Sequence, residues 1–143
     1  QDFGASVQAL RDSSEAESVG VYASGHMVTK PTTKEAEEYY HYLVYEMGDW
    51  EAGEHAVAIR TKGRDTPLKQ LTTLTERMIS GVGTYPVVGS YDDVVEQYRK
   101  MSECGVDGIA IWLVNYISDF PVLRDEILPR MERFGLRLPV NEI

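Results

Sequence analysis

The sequence predicts an α/β fold built on parallel strands, and three observations carry that expectation. Strand-like and helix-like stretches alternate along the chain in the order strand, helices, strand, helix, strand, helix, as parallel strands joined by right-handed helical crossovers require. The run Asp107–Val114 is almost continuously apolar, the pattern of a parallel strand buried on both faces. No low-complexity tract and no linker rich in Pro, Gly or Ser divides the 143 residues, so one domain spanning 1–143 is expected.

The elements follow in order. Residues 5–17 read as a helix tail. Val19 to Val28 reads as a strand from its β-branched and aromatic residues, interrupted by Gly25 and ended by Lys30-Pro31. Thr32 with Glu35 forms a capping-box pattern, and Ala36, Tyr39, Tyr40 and Leu43 recur at helical spacing, so a helix of about four turns runs to Met47-Gly48. Asp49 suits the start of a second helical stretch through Ile59, and a third covers Pro67 to Ile79. A glycine-punctuated turn leads to a short strand from Tyr85 to Val88. Ser90 and Asp93 restart a helix that stops at Gly105. After the strand of 107–114, Asn115–Asp119 makes a polar turn, Pro121 suits the first turn of a helix over 122–134, and Pro129 ends or kinks it midway.

Composition excludes several function classes. A formal charge of −9 and a pI of about 4.8 oppose nucleic acid or an anionic membrane as the main partner. Cys104 is the single cysteine, so no internal disulfide and no multi-cysteine metal cluster can form, and a reducing, cytoplasmic location is expected. The longest strongly apolar run, Ile109 to Val114, is too short to span a bilayer. Three parallel strands leave two bare edges and want more sheet. Together with a start at Gln1, this leads us to expect a piece of a longer product.

Specific motifs sharpen the reading. Tyr85-Pro-Val-Val-Gly-Ser-Tyr-Asp-Asp-Val-Val-Glu-Gln-Tyr, then Gly105-Val-Asp-Gly-Ile-Ala, Val114-Asn-Tyr-Ile-Ser-Asp-Phe-Pro and Glu126-Ile-Leu-Pro, are similar to the last two βα units of the bacterial-luciferase-like flavin-dependent monooxygenases. That family includes alkanesulfonate, dibenzothiophene-sulfone and pyrimidine monooxygenases. His26-Met-Val-Thr-Lys-Pro-Thr-Thr-Lys-Glu-Ala-Glu resembles the strand-to-helix crossover of the sixth unit. The resemblance implies the C-terminal three βα units of a TIM (β/α)8 barrel, incomplete as given. The first five units, with most flavin-phosphate contacts, are then missing.

Barrel sites lie at the C-terminal ends of strands, which directs attention to Ser24–Val28, the segment after Val88 and the Val114-Asn-Tyr turn. The resemblance places His26 at an active-site histidine able to donate to an oxygen of the flavin or substrate; a hydrogen-bonded structural histidine is the competing reading. Ser24 stands where the alkanesulfonate enzymes carry an arginine, which weighs against a sulfonate substrate. Tyr116, with Asn115, falls near the substrate in the resemblance, or caps the last helix. The Gly81-x-Gly83 turn offers amides to an anion or simply permits a tight turn. His41 and His55 share no ligand spacing, so no metal is expected. The tyrosines at 39, 40, 42 and 45 suit packing. Cys104 reads as small packing filler.

The resemblance thus implies part of an oxidoreductase that takes reduced FMN from a separate flavin reductase and inserts one oxygen atom of O2 into a small organic substrate. Hydride transfer with a deazaflavin (F420) is the alternative within the enzyme class. A non-catalytic barrel piece acting as a subunit partner is the alternative outside it. The implied partners are the missing N-terminal barrel portion or a second chain, and a further copy in a homo-oligomer.

Overall fold

The computed structural model describes residues 3–13 and 19–139. Helix α1 (Phe3–Asp12) precedes strand β1 (Tyr22–Lys30). Helix α2 (Thr33–His41) runs without a break into a π-helical turn (Tyr42–Glu46), then come α3 (Trp50–Thr61), α4 (Leu68–Gly81), β2 (Tyr85–Ser90), α5 (Tyr91–Glu103) and β3 (Gly108–Leu113). Helix α6 (Tyr116–Val122) continues through a second π-helical turn (Leu123–Ile127) into α7 (Leu128–Arg133). Of the helix tail expected over 5–17, residues 14–17 lie outside the described residues. Among the described residues no helix is long and apolar enough to cross a membrane.

The start signals act as their chemistry dictates. Thr32 and Ser90 each accept from the amide three residues on, while Glu35 and Asp93 return to the cap backbone, completing two capping boxes. Asp49 caps α3 through the Ala52 amide. The last helix begins earlier than expected because the Asn115 side chain accepts from the amides of Ile117 and Ser118, which places Pro121 inside α6. The π-helical turn precedes Leu128-Pro129, where the missing proline amide leaves an upstream carbonyl without its helical partner.

All three strands are parallel, in the order β2-β1-β3. Consecutive barrel units would put the second strand in the middle; here the first strand takes that place. The crossovers β1→β2 and β2→β3 therefore run in opposite directions across the sheet, and right-handed connections must then lay their helices on opposite faces. The side chains of β1 report both layers. Met27, with Val87 and Leu113, packs on Val94, Val95, Tyr98, Ile127 and Met131 from α5 and the last helices. The next residue toward the N-terminus, His26, faces α2 and the end of α4. Val87, Val94, Val95 and Ile127 are at most 1% exposed, each contributing about 1.5–3 kcal/mol by burial.

Strand β3 departs from the expectation of burial on both faces. Ile109, Ile111 and Leu113 lie on the core side, while Ala110 is exposed and Trp112 is 49% exposed on the other. The cause is positional: β3 is an edge strand, and no described helix covers its second face. β1 also runs two residues past the predicted end, with Gly25 paired to Tyr85 and Ile111 rather than interrupting it. Cys104 is exposed at the C-cap of α5, not packed inside.

Candidate functional site

His26 sits in the middle of β1, four residues before its end, and is 1% exposed. Its ring stacks on Tyr40 of α2 with centroids 6.4 Å apart. Nδ1 lies 2.9 Å from Thr84 Oγ1, and that hydroxyl donates its own hydrogen to the Gly81 carbonyl at 2.7 Å. Thr84 therefore accepts, His26 Nδ1 donates, and the neutral ring keeps a bare lone pair on Nε2. Nε2 is buried without a partner among the described residues. Burial first, and the nearby Arg77 charge second, lower the imidazole pKa from 6.5 to about 4. As placed, His26 is a hydrogen-bond acceptor at neutral pH; its one N–H is committed to Thr84.

Gly81 is what allows the histidine to fit: a Cβ there would lie 2.1 Å from His26 Nδ1. Its turn cannot serve as an anion cradle, because the amides of Val82, Gly83 and Thr84 all bond carbonyls of α4, including Met78, Arg77 and Gly81. Arg77 lies one turn earlier. Its guanidinium stands 5.5 Å from the Tyr85 ring, its Nε is buried and unpartnered, and no carboxylate pairs with it among the described residues.

Ser24 lies on the same face of β1 as His26 and is exposed. It accepts a 2.9 Å hydrogen bond from Trp112 Nε1, and Trp112 is the register partner of His26 on β3. Hydroxyl, imidazole and indole thus share one face. Asn115 and Tyr116 lie beyond them at the C-terminal end of β3. Asn115 spends its side-chain oxygen on capping, and Tyr116 is 61% exposed. The structure therefore brings Ser24 and His26 together and leaves Asn115 and Tyr116 at the rim.

A second polar group marks the carboxyl ends of β1 and β3, where the outgoing connections leave to opposite faces and open sheets place ligands. Lys30 Nζ stands 4.2 Å over the Tyr39 ring, which stacks on Tyr42. Burial first, then Asp119 and Tyr42, raise the Tyr39 hydroxyl pKa. The adjoining start of α2 does not invite an anion, because Glu35 fills the cap and Thr33 donates to Asp93 at 2.5 Å.

Trp112, Thr84 and Arg77 escaped the sequence reading. For Trp112 a signal existed: Gly108, Ala110 and Trp112 alternate with Ile109, Ile111 and Leu113, a period of two inside an apolar run. Thr84 and Arg77 carried none.

No family model matches the chain, and no curated protein matches it. Among solved structures it is similar to riboflavin lyase (RcaE), determined with modified FMN and the substrate riboflavin. The two share 19% identity with a TM-score of 0.70, over 93% of this chain and 36% of that one. The likeness shows a shared fold across nearly all of this chain, which spans about a third of the length of that enzyme chain.

Proposed function

We propose that the chain is a section of a luciferase-like, reduced-flavin-dependent monooxygenase, forming the wall against which the flavin and a small organic substrate sit. The observation that carries the reading is the fold likeness, over 93% of the chain, to an enzyme solved with modified FMN and riboflavin. The face holding Ser24, His26 and Trp112 suits a planar cofactor: an aromatic surface, a hydroxyl and a buried acceptor. Bound reduced FMN would supply the oxygen chemistry. The residues of this chain orient the ring, exclude water at His26 and offer a neutral acceptor rather than an acid.

The test uses the intact protein with FMN, a flavin reductase and NADH under labelled O2. The reading expects one labelled oxygen atom in the organic product; turnover with deazaflavin alone would refute the FMN version. A second reading, a non-catalytic subunit partner, is favoured by the exposed Trp112, Tyr116, Ile117 and Phe120 along β3 and α6, and expects no flavin binding by the intact protein.

A further inference from the structure

The crossover from β1 to β2 carries an unfinished helical layer. Helix α3 has no polar face: Trp50, Ala52, Ala56, Val57, Ala58 and Ile59 fall on every side of it, the pattern of a helix covered all round. It packs chiefly on α4, where Gly53 lets it close onto Thr75 and Ile79. What α4 does not cover is left open as a groove of about 440 Å3 between the two helices. Val57 and Thr75 form its buried floor, and Leu68, 80% exposed, stands on its wall with Leu71.

The charges of this groove are arranged for a two-fold partner. Glu54 and Lys62 both line it, both are exposed, and neither has an ion-pair partner among the described residues. They stand four residues either side of Ala58, about 12 Å apart along the helix axis, so they cannot pair with each other. A second α3 laid antiparallel, Ala58 on Ala58, sets Glu54 against Lys62 of the partner subunit and Lys62 against Glu54 of the partner subunit. Ala58 is small and exposed, so the two helix axes can approach closely there.

We infer that the α3–α4 groove is a self-association surface, closed by the same groove of a second copy about a two-fold axis at Ala58. Burial of the apolar walls drives the contact, and the two reciprocal Glu54–Lys62 pairs at the rim set its register. Helices of 12 and 14 residues present a face about 20 Å long, which suits a reversible dimer at the small end of interface sizes. No residue of this surface belongs to the Ser24–His26–Trp112 face, and the inference does not rest on the flavin reading.

The test is sedimentation velocity of the full chain over a concentration series. The parent is expected to dimerise reversibly. Glu54→Lys and Lys62→Glu each put like charges at both rim contacts and should weaken the dimer at least about tenfold. The double variant restores complementarity and should return to within about threefold of the parent. Mixing the two single variants should also restore the dimer, since each copy then supplies the charge the other lacks. Both positions are exposed, and recovery in the double variant and in the mixture excludes a folding defect as the cause of the loss. A parent that stays monomeric up to about 1 mM overturns the inference and leaves the groove to a different partner. A single reversal that dimerises as the parent does overturns it by moving the contact elsewhere, and failure of either the double variant or the mixture to recover overturns the two-fold register.

Discussion

Gly81→Ala sets two effects of opposite sign against each other, and the structure decides between them. Gly81 is the last residue of α4, where alanine is favoured over glycine by about 1 kcal/mol on helix propensity alone. The new Cβ, however, would lie 2.1 Å from His26 Nδ1, 2.4 Å from Cγ and 2.7 Å from Cε1. No contact of that length survives, and the imidazole is packed against Tyr40 with 1% exposure, so it cannot swing into solvent without opening the layer. Overpacking costs about 1–3 kcal/mol, and breaking the His26–Thr84 hydrogen bond adds a similar amount by leaving buried polar atoms unpaired. The net expectation is destabilisation by roughly 1–5 kcal/mol, read from urea unfolding with an unchanged m-value. The His26→Ala background should remove most of the effect, since the clash partner is gone. A Gly81→Ala protein as stable as the parent, or stabilised by the propensity term, would refute the packing of His26 against α4.

Three further outcomes follow from the same contacts. The pKa of His26 is lowered, so the unfolded chain binds the extra proton first; stability is fully present above pH 6.5 and is lost as pH falls toward 4, by at most about 1.4 kcal/mol per unit. His26→Gln should flatten that stretch of the stability curve, and an unchanged slope would show that another group titrates there. Hydrogen bonds from Thr33, then Ser90, lower the pKa of Asp93, so its contribution is present above the ordinary carboxylate range and fades as pH falls further. The stability gap between Asp93→Asn and the parent should be open at pH 7 and close below about pH 4, as followed by chemical unfolding at each pH. Ser24 and Ala110 are register partners on one face, and neighbouring strands lie about 4.8 Å apart, within disulfide range. Ser24→Cys with Ala110→Cys, in a Cys104→Ser background, should cross-link on mild oxidation, and the absence of a cross-link would remove β3 from the side of β1.

Local signals were legible in the sequence because they are chemical and short-range. The Thr32/Glu35 and Ser90/Asp93 boxes and the Asp49 cap placed helix starts correctly, and the α/β class followed from the alternation of elements. Pro121 misled because the competing Asn115 cap is stronger than the preference of proline for a first turn. Strand order was not legible. Nothing local in Tyr85–Ser90 or Gly108–Leu113 states which edge of β1 each will take, and the expectation of consecutive neighbours came from the resemblance. The site was legible in part: Ser24 and His26 fall on one face by strand alternation alone. Their real partners, Trp112 and Thr84, are 88 and 58 residues away in sequence, and only the parallel register brings them together.

Flavin binding by the intact protein at the Ser24–His26–Trp112 face is the most direct test of the proposed function. Equilibrium titration with oxidised and reduced FMN, followed through Trp112 emission in a Trp50→Phe background, should give saturable quenching that Ala110→Leu weakens. An intact, folded protein that binds neither form of FMN would contradict the account and leave the subunit-partner reading in its place.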